Sequence, residues 1–164
     1  MKYVLIIALS AVLFSACKKE EVGNTATEKV AGEWVVTFNG INDDGSIDKD
    51  CFDIGPFNML TYNTEKNVPT EMWVDDGGNS WDFKVIVDLD YNAGTFSTKD
   101  FVDNYSYDSQ VKITNGKVLY GAAKTPSGMP ADSIVFNAYF DDDDPGSYGY
   151  QISGYRYTGL ANDD

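Results

Sequence analysis

The chain has 164 residues, 26 acidic against 12 basic side chains, no histidine and a formal charge of −14. That charge repels nucleic-acid phosphates and makes a polyanion an unsuitable partner, and without imidazole the usual general base for a serine or cysteine nucleophile is missing. With 14% aromatic residues and apolar side chains in alternation, the chain is not disordered, and its length suits one domain with its own core.

Residues 1–16 read as an export signal and not as part of the fold. Lys2 gives the positive start, 3–14 the apolar run, and Ser15-Ala16-Cys17 a small-residue cleavage point. The run is too short to span a bilayer. Its ending resembles the lipobox of bacterial lipoproteins, with Phe14 where leucine is usual, and that resemblance implies lipidation of Cys17. Residues 17–28 then form a polar tether. Its first stretch, Lys18-Lys19-Glu20-Glu21, resembles the signals that send some Bacteroidetes lipoproteins to the outer face of the outer membrane. Acyl chains contribute about 0.8 kcal/mol per buried methylene, so two or three of them make a durable anchor. The expectation is a membrane partner through the N-terminal lipid, at the outer membrane or cell surface. With Cys17 acylated, Cys51 has no intramolecular partner and is either a buried filler or a free thiol.

Residues 29–164 read as one antiparallel β-domain, preceded by a turn or two over 25–30. In the strand at 33–39, Trp34, Val36 and Phe38 alternate with polar neighbours. A polar loop leads to a strand at 57–63, with Phe57, Met59 and Thr61 on one face. Strands at 70–74 and 80–89 flank the turn cluster Asp75-Asp76-Gly77-Gly78-Asn79, and Trp81, Phe83, Val85, Val87 and Leu89 share a face. A short strand follows at 95–98. Asn115-Gly116 predicts a two-residue hairpin between 110–114 and 117–121, pairing Ile113 with Val118 and Val111 with Tyr120. Strands at 133–140 and 148–158 flank Asp141-Asp142-Asp143-Asp144-Pro145-Gly146. Eight or nine short strands in meander order predict an up-and-down barrel or a sandwich. The last strand favours the barrel. A regular pleat turns Arg156, the sole arginine, the same way as Tyr148, Tyr150 and Ile152, where a guanidinium needs acceptors and an aromatic face. Trp34 supplies that face if the first and last strands are neighbours.

Gly32-Glu33-Trp34 together with Arg156 resembles the calycin superfamily, lipocalins included, in which this pair closes one end of the barrel. The chain more closely resembles the Bacteroidetes lipoproteins of the lipid-binding putative hydrolase family. That likeness runs through Val30-Ala31-Gly32-Glu33-Trp34, Met59-Leu60-Thr61-Tyr62-Asn63-Thr64, Trp73-Val74-Asp75-Asp76, Ile113-Thr114-Asn115-Gly116-Lys117-Val118, Thr125-Pro126-Ser127-Gly128-Met129-Pro130-Ala131-Asp132-Ser133 and Ser153-Gly154-Tyr155-Arg156-Tyr157-Thr158-Gly159. It implies lipid binding and names hydrolysis, and supplies no catalytic residues.

The residues themselves assign no catalytic site, metal or cofactor. There is no Gly-X-Ser-X-Gly elbow, and zinc lacks its histidine and thiolate ligands. A carboxylate pair for glycoside hydrolysis stays open, since acids are plentiful. The stretch 42–48 resembles the middle of an EF-hand loop, but its first and twelfth positions fall on Gly40 and Cys51, which are not acids. Asp141 to Asp144 read as a solvated turn. Trp73, Trp81, Tyr62, Phe136 and Tyr150 are the candidate pocket for an acyl chain or another apolar ligand, with a filled core as the alternative. The reading is a lipoprotein with a lipocalin-like barrel that binds a small apolar or amphipathic ligand without covalent chemistry. Its rivals are an adhesion or accessory module with a packed core that contacts protein or glycan, and a carboxylate-based hydrolase.

Overall fold

A computed structural model describes residues 24–144, 147–161 and 163. The export signal, Cys17 and the tether up to residue 23 lie outside the described residues. Ten strands follow one another: β1 (Gly32–Ile41), β2 (Ile47–Asp48), β3 (Phe57–Tyr62), β4 (Glu71–Asp75), β5 (Lys84–Asp90), β6 (Thr95–Ser97), β7 (Val102–Asp103), β8 (Gln110–Lys124), β9 (Pro130–Phe140) and β10 (Tyr150–Arg156). All pairings are antiparallel, and eight strands close an up-and-down barrel in which β2 and β7 are short additions to β1 and β8. Closure comes from β1 against β10, in register from Trp34↔Arg156 to Gly40↔Tyr150. The described residues contain no helix; 26–30 make a turn before β1.

The period-2 pattern of the sequence decides which side chains fill the barrel. Trp34, Val36 and Phe38 of β1, Met59 of β3, Met72 and Val74 of β4, and Val85 and Val87 of β5 are at most 1% exposed, as are Ile113, Ile134, Phe136 and Ile152 from the other half. Each such burial stabilises the fold by about 1.5–3 kcal/mol relative to exposure. Large rings occupy the interior along its length, from Trp34 through Phe136 and Phe83 to Phe38.

Three stretches depart from expectation. Asn115-Gly116 is not a hairpin: β8 runs straight through it. Thr114 faces Asn137 and Lys117 faces Val135, so two residues oppose Phe136 alone. The left-handed φ of Asn115 (57°) that favours a tight turn serves a β-bulge instead. The bulge lets Phe96 lie over Gly116, where any Cβ would stand 2.4 Å from the ring. Ile113 accordingly faces Ala138, Val118 faces Ile134 and Val111 faces Phe140.

The strand expected from residue 80 begins at Lys84. Asp82 holds a φ of 56°, and the fully buried Asp76 carboxylate accepts hydrogen bonds from the amides of Gly78, Ser80, Asp82 and Phe83 and from the Ser80 hydroxyl. Five donors on one carboxylate favour a compact turn over extension. At the other terminus Tyr148 precedes β10 and is 55% exposed, so it does not join Tyr150 and Ile152 inside.

Candidate ligand-binding end of the barrel

The two ends of the barrel are built differently. At one, the turn at 26–30 brings Val30 into the core, and Trp34 packs beneath it. The Thr61 hydroxyl accepts the Trp34 indole hydrogen at 2.8 Å and donates to the Val30 carbonyl at 2.6 Å, so neither buried polar atom is left unpaired. The Arg156 guanidinium stands 4.3 Å from the Trp34 ring centre. It donates to the carbonyls of Ala31 and Lys29 and, at 3.0 Å, to Asp132. A side chain at position 32 would meet the guanidinium, so the glycine before Trp34 is what gives Arg156 its room. With its side chain 25% exposed, Arg156 lies across the barrel end rather than inside it. This end is latched by the chain's own groups.

The opposite end is stoppered by rings. Phe38 ends the inward row of β1, Phe140 ends β9, Tyr150 starts β10, Trp81 comes from the turn before β5, and Phe52 comes from the loop after β2. Trp81 stacks on Phe140 at 4.9 Å and 17°, and Phe38 lies 4.7 Å from Tyr150. Phe52 rests on three of these rings at once, 5.6 Å from Phe38, 5.8 Å from Trp81 and 5.5 Å from Tyr150, with 48% of it exposed. The Asp50 carboxylate shapes its loop by accepting the amides of Ile54 and Gly55, and Asn39 receives the Asp50 amide. Both Asp50 and Asp53 sit in the left-handed region, with φ of 50° and 59°.

Phe52 stands between two recesses. One, of about 150 Å³, is lined by Phe38, Phe52, Ile54, Ser80 and Trp81. The other, shallower and about 450 Å³, lies on its far flank beside Cys51, Tyr148 and Tyr150. A further dent of about 400 Å³ beside the β8 bulge is lined by Phe96, Leu89 and polar groups of β5, β6 and β8, and gathers no aromatic cluster.

The five pocket candidates divide. Trp81 and Tyr150 meet at this end, 5.5 Å apart, and Phe136 packs deeper against Phe83 and Phe96. Tyr62 and Trp73 are elsewhere, because Met72 and Val74 take the inward positions of β4 and turn Trp73 outward. There Trp73 meets Tyr105 edge-on at 4.8 Å, with Lys84 over both Trp73 and Tyr62. Sequence reading missed Phe38, Phe52 and Phe140 as members of the cluster. Phe38 and Phe140 were visible as the last apolar residues in the inward rows of their strands. The sign of Phe52 was weaker, an apolar pair, Phe52 and Ile54, inside an otherwise polar loop.

Acidic groups at the aromatic end hold hydrogen bonds to the rings. Asp142 accepts from the Trp81 indole at 3.3 Å and from the Tyr107 phenol at 2.6 Å, and Asp143 accepts from Tyr150 at 3.1 Å. Burial, then the Asp143 hydrogen bond, pushes the Tyr150 phenol up to about 12, and burial with Asp142 raises Tyr107. Burial first and Asp48 second raise the Cys51 thiol, which is free and packed partly on the core. Phenols and thiol alike therefore stay protonated at neutral pH, which suits contact better than nucleophilic attack. In the loop 42–46, the Asp44 carboxylate accepts the Ser46 amide and is lowered by hydrogen bonding to Ser46. Among the described residues no three His, Cys, Asp or Glu side chains group as metal ligands.

A family model described as "Lipid-binding putative hydrolase" matches residues 19–161. No curated protein matches the chain.

Proposed function

Because the chain belongs to the lipid-binding putative hydrolase family, we propose that it binds an apolar or amphipathic, lipid-like ligand non-covalently at its aromatic end. In the same reading it is a lipoprotein, held at the outer membrane or cell surface through Cys17. The observation that carries the binding site is Phe52, a half-exposed ring on a loop, laid over Phe38, Trp81 and Tyr150 between two recesses. Rings already fill the interior, so a ligand engages the mouth and not a deep central cavity. A recess of about 150 Å³ accommodates a benzene-sized group. Sites for larger ligands run to about 300–1,000 Å³, and the two recesses, with Phe52 as the wall they share, together fall in that range.

Nile red titrated into the full-length protein in uncharged maltoside micelles tests this. Phe52→Ser should weaken its binding about tenfold, the worth of one buried phenyl, and Leu60→Ser on the outer face of β3 should not. Equal affinity of Phe52→Ser and the unaltered chain would remove the site. Native mass spectrometry of the same preparation should show a co-purifying lipid.

A second reading, an interaction module that contacts protein or glycan, draws on the outward group of Tyr62, Trp73 and Tyr105, the last 64% exposed. It gains if Nile red ignores Phe52 and a Trp73→Ser change alters association with the cell envelope. Hydrolysis by a carboxylate gains little from the aromatic end, where Asp142 and Asp143 are already engaged by indole and phenol hydrogens.

A further inference from the structure

We infer that the aromatic end selects ligands with a cationic, alkylammonium head over neutral and anionic ones. This rests on the binding reading above and specifies its ligand. The negative charge of the molecule is not spread evenly. The loops at 42–46, 49–56, 76–83, 98–101, 104–109 and 141–144 all lie at the aromatic end, and Lys49 and Lys99 are their two basic residues among twelve aspartates. At the latched end the acids are interspersed with Lys29, Lys66, Lys124 and Arg156. Acids kept only for solubility have no reason to collect around the one mouth lined with rings.

The acids are also positioned. Asp142 is tied to Trp81 and Tyr107, and Asp143 to Tyr150, so two carboxylates are fixed against the rims of the rings that would receive a ligand. A cation entering beside Trp81 or Phe52 meets the negative face of an aromatic ring, and attraction of that kind grows as the cation loses water. Carboxylates around a low-dielectric mouth add to it by focusing the field. The same field opposes a fatty acid or a phosphate head. The recess of about 150 Å³ takes the apolar part next to the charge.

The test titrates the full-length protein in uncharged maltoside with benzyltrimethylammonium, benzyl alcohol and phenylacetate, all reading tryptophan fluorescence. Trp81→Phe identifies the responding residue. Benzyltrimethylammonium should bind about tenfold more tightly than benzyl alcohol, with phenylacetate weakest. The preference should shrink in 1 M salt, where the Debye length falls to about 3 Å. It should shrink likewise in the Asp142→Asn, Asp143→Asn double variant, in which Asp142 is exposed, Asp143 half-buried, and each isosteric amide keeps an oxygen to accept the indole and phenol hydrogens; an unchanged melting temperature checks that the fold is intact. If benzyl alcohol or phenylacetate binds as tightly as the cation, selectivity for cations is overturned and the apolar site stands. If none of the three changes Trp81 emission, both readings fall.

Discussion

At the scale of single residues, Tyr150 is a group whose chemistry the fold alters strongly. Burial and the Asp143 carboxylate raise its phenol from 10.0 to about 12. Over that window the native chain keeps a proton that the unfolded chain releases, so stability falls as pH rises from 10 to about 12. Tyr150→Phe removes that ionisation. Its melting temperature should decline less steeply than that of the unaltered chain between pH 10 and 12, and absorbance at 295 nm should lose a component near pH 12. Tyr150 was legible as an inward residue of the last strand, because alternation alone places it. Its partner was not legible, since nothing in four consecutive aspartates says which of them turns back towards a ring. Arg156 was legible for a chemical reason: a lone arginine on an apolar face requires an aromatic surface and acceptors, and Trp34 and the carbonyls of Lys29 and Ala31 supply them.

At the scale of elements, β8 shows where local reading stops. Asn115-Gly116 carries the dihedral freedom of a hairpin turn, and that freedom is used, but the partner of β8 is β9 and not its own second half. The bulge fits the neighbours on both sides: β9 pairs with β8 through it, and Phe96, nineteen positions upstream of Asn115, fills the space over Gly116 with its ring and its carbonyl oxygen. Gly116→Val should therefore cost about 1–3 kcal/mol through overpacking, and Asn115→Gly, at a φ of 57°, should cost little. Urea midpoints of the two variants decide it; equal loss at both positions would argue against Phe96 as the cause. Trp73 is the same lesson on a smaller scale. As a large aromatic in a short strand it had the composition of a lining residue, yet Met72 and Val74 take the interior positions of β4, and parity then fixes Trp73 outside.

At the scale of the whole molecule, closure depends on the seam between β1 and β10, seven residue pairs from Trp34↔Arg156 to Gly40↔Tyr150. Arg156 ties that seam to Asp132 of β9 and to the turn before β1. Arg156→Ala should cost about 2–4 kcal/mol through lost hydrogen bonds and ring contact. Hydrogen exchange should quicken most along β1, β10 and residues 26–31, with β4 and β5 nearly unchanged; a uniform loss of protection would mean that Arg156 supports the barrel in general and not its seam. The barrel itself was legible because alternation and short links recur along the whole chain. Which end binds was not, because the loops that build the mouth share no period.

The latch and the stopper also give the molecule a direction. The described chain enters at the Arg156 end, and the ten residues of β1, at about 3.3 Å each, carry it roughly 30 Å towards the rings. That is about four Debye lengths at physiological salt. In the proposed reading, with the lipid at Cys17 below the latch, the mixed-charge base would be the part next to the bilayer, and the acidic crown would stand beyond the reach of the head-group charge. So held, the mouth would face the surrounding solution and would meet molecules dissolved there before those diffusing within the membrane.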